Sequence, residues 1–236
     1  MSIAENVAHI RAQIEKAALA VGRDPKEITL CAATKMNDAS RVKEAIAAGV
    51  TCCGENRVQE LTQKLGENAY EGASIHFIGH LQTNKVKQVV GKVDLIQSVD
   101  SDRLLAAISK EAQRQNIQQD ILLEVNIAGE ESKSGFTAGG VLEILEKITD
   151  FPNIRVLGLM AIPPVCQNSG DNNKFFQEIC NLAVDITKKK YDNVSMEILS
   201  MGMSDDYADA IACGSTMIRV GTAIFGARDY SKPHQT

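Results

Sequence analysis

Eight short apolar runs alternate with helical patterns along this chain, and that rhythm constrains its fold more than any other feature of the sequence. The runs typical of β-strands lie at Ile28 to Lys35, Val50 to Cys53, Ile75 to Ile78, Val93 to Gln97, Ile121 to Val125, Ile154 to Leu159, Ser195 to Leu199 and Met217 to Val220. The helical patterns lie at Ala39 to Ala48, Arg57 to Leu65, Ser101 to Gln115, Val141 to Ile148, Lys174 to Lys188 and Asp205 to Ala212. Eight strands that alternate with helices in 236 residues predict an α/β fold, a single (β/α)8 TIM barrel.

A further helix is predicted before the first strand. Apolar residues recur at helical spacing at Ile3, Val7, Ile10, Ile14, Ala17 and Val21. This pattern predicts an extra amphipathic helix over residues 2 to 21 that ends at Gly22. An open doubly wound sheet is the alternative architecture, although no Gly-x-Gly-x-x-Gly turn follows the first strand. No linker or internal repeat divides the sequence, so we expect one domain over 1–236.

The charge balance argues against a nucleic-acid partner. The net charge is -5, and the 25 basic residues form no long run that would follow a phosphate backbone. The first residues carry charge early and lack the apolar run of a secretory signal, and no later segment has the length of a membrane span. We therefore expect a cytoplasmic protein that binds a small molecule and neither nucleic acid nor membrane.

The cysteines give no sign of a metal centre in the sequence. Of the six cysteines, Cys31, Cys52, Cys53, Cys180 and Cys213 lie in or beside apolar stretches. None shows the spacing of a zinc site or a sequence partner among the histidines. Reduced, buried thiols are expected, and no metal site is predicted.

The first predicted strand ends in a lysine, Lys35. On an extended strand, the small residues Thr29, Cys31 and Ala33 share a face with Lys35, which fits small side chains turned toward a crowded barrel axis. Lys35 then lies at the C-terminal mouth, where TIM-barrel active sites are found. Burial lowers the pKa of a lysine from about 10.4 and makes its amine a nucleophile for an aldehyde. A lysine that only carries surface charge is the alternative.

The ends of the last two predicted strands have the composition of a phosphate site. Ser200 and Gly202 follow strand seven, and Arg219, Gly221 and Thr222 lead from strand eight into a last short helix. Barrel enzymes often hold phosphate there with backbone N–H groups and a helix N-terminus. The alternative is that the glycines only form tight turns.

These segments, with others, resemble the pyridoxal phosphate homeostasis protein family. The matching segments are Ala33 to Lys35, Gly54 to Glu60, His76 to Lys85, Ser132 to Phe136, Gly158 to Met160, Leu199 to Asp206 and Gly214 to Gly226. They follow one another in order and cover nearly the whole chain. The resemblance implies a barrel similar to that of alanine racemase.

The resemblance also implies the cofactor pyridoxal 5'-phosphate, held as a Schiff base on the lysine matched by Lys35. The resemblance implies Lys35, Ser200, Arg219, Gly221 and Thr222 as cofactor-binding residues, and the ends of the predicted strands add Asn56, His80, Met201 and Gly202. Arg219 matches the arginine that faces the pyridine nitrogen, where a cation disfavours protonation and weakens the ring as an electron sink. An ion pair that closes the barrel is the alternative role for Arg219. Asn56 and His80 are assigned to the mouth.

Members of this family are regarded as carriers or regulators of the free cofactor rather than as established enzymes. The leading hypothesis is therefore a non-catalytic, monomeric protein that buffers the cofactor or delivers it, transiently, to apo enzymes. A pyridoxal-phosphate enzyme acting on amino acids, such as a racemase, is the alternative, but a racemase needs a second base opposite Lys35. The third hypothesis is a cofactor-free aldolase that uses Lys35.

Overall fold

The structure is a computed structural model that describes residues 1–130, 132–165 and 168–226. The strands are β1 (Thr29–Ala33), β2 (Cys52–Glu55), β3 (Ser74–Phe77), β4 (Leu95–Val99), β5 (Gln119–Val125), β6 (Ile154–Ala161), β7 (Val194–Ser200) and β8 (Met217–Val220). They form a closed barrel in sequence order, with every neighbouring pair parallel and β1 paired to both β2 and β8. The predicted TIM barrel is confirmed.

Helices surround the barrel. They are α1 (Ile3–Ala20), α2 (Ala39–Ala47), α3 (Val58–Gly66), α4 (Asp102–Gln115), α5 (Ala138–Leu145), α6 (Asn173–Lys189), α7 (Tyr207–Ala212) and α8 (Thr222–Phe225). Short 3₁₀ helices lie at Pro25–Glu27, Thr83–Gln88 and Ile148–Asp150. The Thr83–Gln88 segment takes the place of an α-helix between β3 and β4. No helix in the described part of the chain has the length and apolar content needed to cross a membrane.

The extra N-terminal helix is also confirmed, and its sequence explains both its start and its position. Ser2 and Glu5 form a reciprocal capping box at the first turn of α1. The apolar face of α1 is buried, and α1 contacts α2, α7 and α8. The buried apolar face of α1 therefore fixes this helix against those three helices.

Most strand bounds differ from the sequence prediction by one or two residues, and the differences at β1 and β2 bear on the site. β1 ends at Ala33, so Lys35 lies in the turn after the strand and not on it, and Met36 in that turn has a φ of 62°. β2 begins two residues later than predicted and extends to Glu55. An apolar pattern does not reveal this extension, because β2 ends in a buried carboxylate that α3 neutralises.

Side chains along the strands point alternately outward and inward, as the sequence predicts. One layer of the core therefore lies between the barrel and the helices, and another lies inside the barrel. Leu30 and Ala32 of β1 pack outward against the helices, while Cys31 and Ala33 face the barrel axis. The inner side chains form two small apolar clusters rather than one continuous core. Polar side chains occupy the rest of the axis, and they position the candidate site.

Candidate functional site

A cavity of about 280 Å³ opens at the C-terminal mouth of the barrel. Its polar lining comes from the ends of β2, β3 and β5 and from the loop after β5, and consists of Asn56, His80, Glu124, Asn126, Lys133 and Ser134. The mouth is where the sequence placed Asn56 and His80, and the structure brings both to this cavity. Glu124, the last inward-facing residue of β5, was not expected there.

The turn that carries Lys35 is held on both sides by charged groups of α3. Lys64 Nζ donates to Thr34 O at 2.8 Å, and the N–H of Met36 donates to Glu60 Oε2 at 2.7 Å. Asn37 Nδ2 donates to the carbonyl of Lys35 itself at 3.0 Å. The backbone before and after Lys35 is therefore fixed, although the lysine lies outside regular structure.

A buried ion pair is the base of that support. Lys64 Nζ lies 2.5 Å from Glu55 Oε1, and the two side chains are 5% and 0% exposed. Thr34 Oγ1 and Tyr70 Oη also donate to this carboxylate. Burial, together with the charge of Glu55, raises the pKa of Tyr70, which keeps its phenol a hydrogen-bond donor at neutral pH. The sequence alone does not indicate this cluster, because Glu55 and Lys64 are nine positions apart on different elements.

Arg219 lies inside the barrel, two residues above Met217 on the inward face of β8. Its guanidinium donates to Ser200 O and Ser200 Oγ, both at 2.6 Å, and to Ala161 O at 2.9 Å. Within residues 1–130, 132–165 and 168–226, no carboxylate oxygen lies within 4 Å of it, so the barrel-closing ion pair is not found. Burial lowers the pKa of Arg219. The arrangement is a buried cation that is held by neutral acceptors.

A chain of polar side chains runs down the barrel axis from Arg219. Ser200 Oγ donates to Gln97 Oε1 at 2.6 Å, and Gln97 Nε2 lies 2.8 Å from His76 Nδ1. His76 Nδ1 in turn lies 3.4 Å from Cys52 Sγ. Gln97 and His76 were not among the predicted residues. The signal was present in the sequence, since both occupy inward positions of their alternating strands, where a TIM barrel usually has branched apolar residues.

The loops after β7 and β8 contact each other. Gly221 precedes the first turn of α8, whose leading N–H groups have no intrahelical acceptor, and Thr222 Oγ1 lies 3.3 Å from Ser204 Oγ of the other loop. Gly202 has a φ of 93°, and a Cβ there would lie 2.6 Å from Ala210 Cβ. Met201 is different, because its side chain is buried in the outer core and its N–H donates to Met217 O.

Asn56 and His80 have different environments at the mouth. Asn56 Oδ1 is buried and has no hydrogen-bond partner among the described residues. The His80 side chain is 61% exposed, and its Nδ1 lies 3.0 Å from Asp100 Oδ2. Asn56 thus lies in the cavity wall with a buried acceptor unsatisfied, while His80 is a solvent-facing residue already paired with a carboxylate.

The carboxyl group of Glu124, which lines the cavity, has a raised pKa. Burial, together with the nearby charge of Asp100, raises the pKa of Glu124 to about 7. The positive charge of Arg219 acts in the opposite direction. At neutral pH this side chain is therefore poised between its protonated and ionised forms.

The chain is similar to known proteins over almost its whole length. Its sequence matches the protein family described as alanine racemase, N-terminal domain, over residues 2–229. A pyridoxal phosphate homeostasis protein of Aquifex aeolicus is 40% identical over 230 residues, which cover 98% of this chain and 100% of that protein. A protein of the same name from Escherichia coli is 40% identical over 98% of each chain. The structure of PipY from Synechococcus elongatus with PLP bound has a TM-score of 0.83 at 30% identity, over 95% of this chain and 100% of that one.

Proposed function

This chain belongs to the alanine racemase N-terminal domain family and, within it, to the pyridoxal phosphate homeostasis proteins, and from that premise we propose that it binds pyridoxal 5'-phosphate and buffers or delivers it inside the cell. The cofactor site is the mouth of the barrel between the Lys35 turn and the loops after β7 and β8. The Lys35 amine is the point of covalent attachment to the cofactor's aldehyde. The cofactor supplies a reactive aldehyde and an electron-accepting ring. A protein that buffers the cofactor prevents this aldehyde from reacting with other amines.

Arg219 is the observation that carries this proposal. A buried guanidinium that donates to neutral oxygens of Ser200 and Ala161 is compatible with one further acceptor, and a pyridine nitrogen is such an acceptor. The positive charge of Arg219 keeps that nitrogen unprotonated, because a neighbouring cation disfavours a second positive charge. An unprotonated ring is a weak electron sink, which limits carbanion chemistry on the bound cofactor.

The other residues of the site fit the same ligand. The first N–H groups of α8 and the hydroxyl of Thr222 would bind the phosphate, since charge-assisted hydrogen bonds contribute roughly 1.5–3 kcal/mol each. The Ser200 hydroxyl would join them by turning its proton from Gln97 Oε1 to a phosphate oxygen. The orphaned Asn56 Oδ1 would accept a hydrogen bond from a hydroxyl on the ring. His80 is assigned to the rim of the cavity, where solvent and Asp100 already satisfy it.

A borohydride experiment tests the attachment. Wild-type protein is incubated with pyridoxal 5'-phosphate, reduced, and analysed by intact mass and peptide mapping, beside Lys35→Met and the surface control Lys43→Met. We expect one stable adduct, located on Lys35, in the wild type and in Lys43→Met, and none in Lys35→Met. An adduct on Lys133 in the wild type would contradict the site assignment, and absence of any adduct would favour the cofactor-free aldolase.

A second measurement separates the holding role from the enzyme alternative. Loaded protein is incubated with single amino acids in deuterium oxide, and exchange at the α-carbon is followed by mass spectrometry. We expect no exchange beyond that of free cofactor. Robust exchange that Lys35→Met abolishes would instead establish an enzyme acting on amino acids.

We further propose that the protein acts in the cytoplasm as a monomer and transfers its cofactor to apo enzymes. Transfer is measured as the recovery of an apo enzyme's activity when the two proteins are mixed.

A further inference from the structure

A cluster of metal-ligating side chains lies below the proposed cofactor site, on the inward faces of the first three strands. Cys31 and Cys52 are direct partners in the register of β1 and β2, and His76 lies on the neighbouring β3. The two Sγ atoms and the His76 ring nitrogen all lie within 4.8 Å of one another, and all three residues are buried. We propose that Cys31, Cys52 and His76 form a binding site for one thiophilic cation, Zn²⁺ or Cu⁺, in the N-terminal half of the barrel.

The distances support this assignment. Cys52 Sγ lies 3.4 Å from His76 Nδ1. In a tetrahedral zinc site, with zinc–sulfur and zinc–nitrogen bonds of about 2.3 and 2.1 Å, neighbouring sulfur and nitrogen ligands are separated by about 3.6 Å. The cluster therefore needs only small side-chain movements to surround a cation. Rigid strands hold all three ligands, which limits the entropy lost on binding.

The ligand types favour a soft metal. Thiolates and imidazole select zinc and copper over magnesium or calcium, and two thiolates neutralise the charge of Zn²⁺ in a buried site. With Cu⁺ the site would keep one negative charge, inside a barrel that also contains the buried cation Arg219. The described cysteines are free thiols, so Cys31 and Cys52 are available as ligands once deprotonated.

Two neighbours can complete the coordination. Gln97 Nε2 lies 2.8 Å from His76 Nδ1 and 3.1 Å from Met217 Sδ, so both side chains border the cluster. A half-turn of the Gln97 amide exchanges its nitrogen and oxygen and presents an oxygen ligand for Zn²⁺. The Met217 thioether is a soft ligand for Cu⁺. The two ions thus differ in the fourth ligand that they require.

Metal binding to the reduced, cofactor-free protein tests the site, so its outcome is independent of the proposed function. Co²⁺ is titrated as a spectroscopic substitute for Zn²⁺, Zn²⁺ stoichiometry is measured with a chromogenic chelator, and Cu⁺ is tested in the same way without oxygen. The variants are Cys52→Ala, Cys31→Val and His76→Gln. Cys53→Ala is the matched control, because Cys53 is equally buried on the same strand but packs in the outer core.

We expect the wild type and Cys53→Ala to bind one equivalent of Zn²⁺ or Cu⁺. The titration with Co²⁺ should show a thiolate-to-cobalt charge-transfer band. Each cluster variant should lose at least tenfold in metal affinity. Circular dichroism identifies any variant that does not fold, and Cys31→Val keeps an ordinary strand residue at its position. Uptake of Cu⁺ that Met217→Leu weakens supports the thioether ligand. No uptake of either ion by the wild type, or undiminished uptake in folded Cys31→Val, would overturn the proposal.

Discussion

At the scale of single residues, the candidate site depends on polar side chains that form hydrogen bonds with one another inside the barrel. Ser200 links two of them, because its hydroxyl donates to Gln97 and accepts from Arg219. A buried polar group that loses its partner costs about 1–3 kcal/mol, so each member of this chain fixes the next. The same hydroxyl is a proposed phosphate ligand, and its two roles can be separated experimentally.

Ser200→Ala is expected to lower both stability and cofactor affinity. The free energy of unfolding should fall by about 1–2 kcal/mol, because Gln97 Oε1 loses its donor in a buried site. Cofactor affinity should fall about tenfold, which is equivalent to about 1.4 kcal/mol for one lost hydrogen bond to phosphate. Urea unfolding and absorbance titration with pyridoxal 5'-phosphate measure the two effects.

Ser109→Ala is the matched control for that prediction. Ser109 is also buried and donates to Pro152 O at 2.7 Å, but it lies on α4 in the outer layer. It should lose a similar amount of stability and keep the wild-type affinity for the cofactor. Equal losses of affinity in the two variants would show that Ser200 acts only through stability.

At the scale of elements, α3 positions the turn after β1. Lys64 and Glu60 of α3 bind the backbone on either side of Lys35, and Glu55 of β2 holds Lys64 in place. A buried ion pair adds little net stability when both partners are present, but the loss of one partner leaves an uncompensated charge.

Lys64→Met is therefore expected to destabilise the protein by about 3–5 kcal/mol, because Glu55 stays buried without its cation. The double variant Glu55→Gln with Lys64→Met should be more stable than Lys64→Met alone, since it removes the charge as well. Urea unfolding of both variants gives the comparison. The same double variant should attach cofactor to Lys35 more slowly than the wild type, and an unchanged rate would argue against a positioning role for α3.

The barrel was predictable from the sequence because each element repeats one local pattern. Apolar residues recur at helical spacing along α1 and dominate β8 despite Arg219, and the predicted bounds of both elements agree with the structure within about one residue. Features that depend on contacts between distant elements were not predictable. Glu55 and Glu124 look like ordinary surface residues in the sequence, and only the closed barrel shows that one is buried against Lys64 and the other in the mouth.

Gly158 is an element-scale feature that can be tested directly. It has a φ of 154°, at the place where the register between β6 and β7 shifts, and a Cβ there would lie 1.8 Å from Ile198 O. We expect Gly158→Ala to lower the free energy of unfolding by about 3–5 kcal/mol through strain and overpacking.

Gly66→Ala provides the contrast for the change at Gly158. Gly66 is exposed at the end of α3, and nothing lies within 4 Å of a Cβ placed there. It should be neutral or stabilise the protein by up to about 1 kcal/mol, because alanine loses less chain entropy on folding. Equal unfolding midpoints for the two variants would contradict the close approach of β6 and β7.

At the scale of the whole molecule, two pairs of charged side chains of the barrel bear on how folding depends on pH. Glu55 and Lys64 form a neutral pair behind the Lys35 turn. Glu124 and Arg219 lie along the axis, where burial raises the pKa of the carboxyl group and lowers that of the guanidinium. The carboxyl group in the mouth should therefore make folding less favourable as the pH rises. A salt-bridged surface carboxylate, whose pKa is lowered, has the opposite effect.

Glu124 should make the protein less stable as the pH rises from 5 to 7. Its pKa is about 7 in the folded protein against an ordinary value of 4.5, so over this interval the folded state binds more protons than the unfolded state. Stability then falls by up to about 1.4 kcal/mol for each pH unit and levels off above the folded pKa. Glu124→Gln removes this dependence, so its free energy of unfolding relative to wild type should rise by about 2 kcal/mol between pH 5 and 8. Urea unfolding at both pH values measures it, with the exposed Glu143→Gln as control, and a constant difference between wild type and Glu124→Gln would show that the carboxyl is already ionised in the folded protein at pH 5.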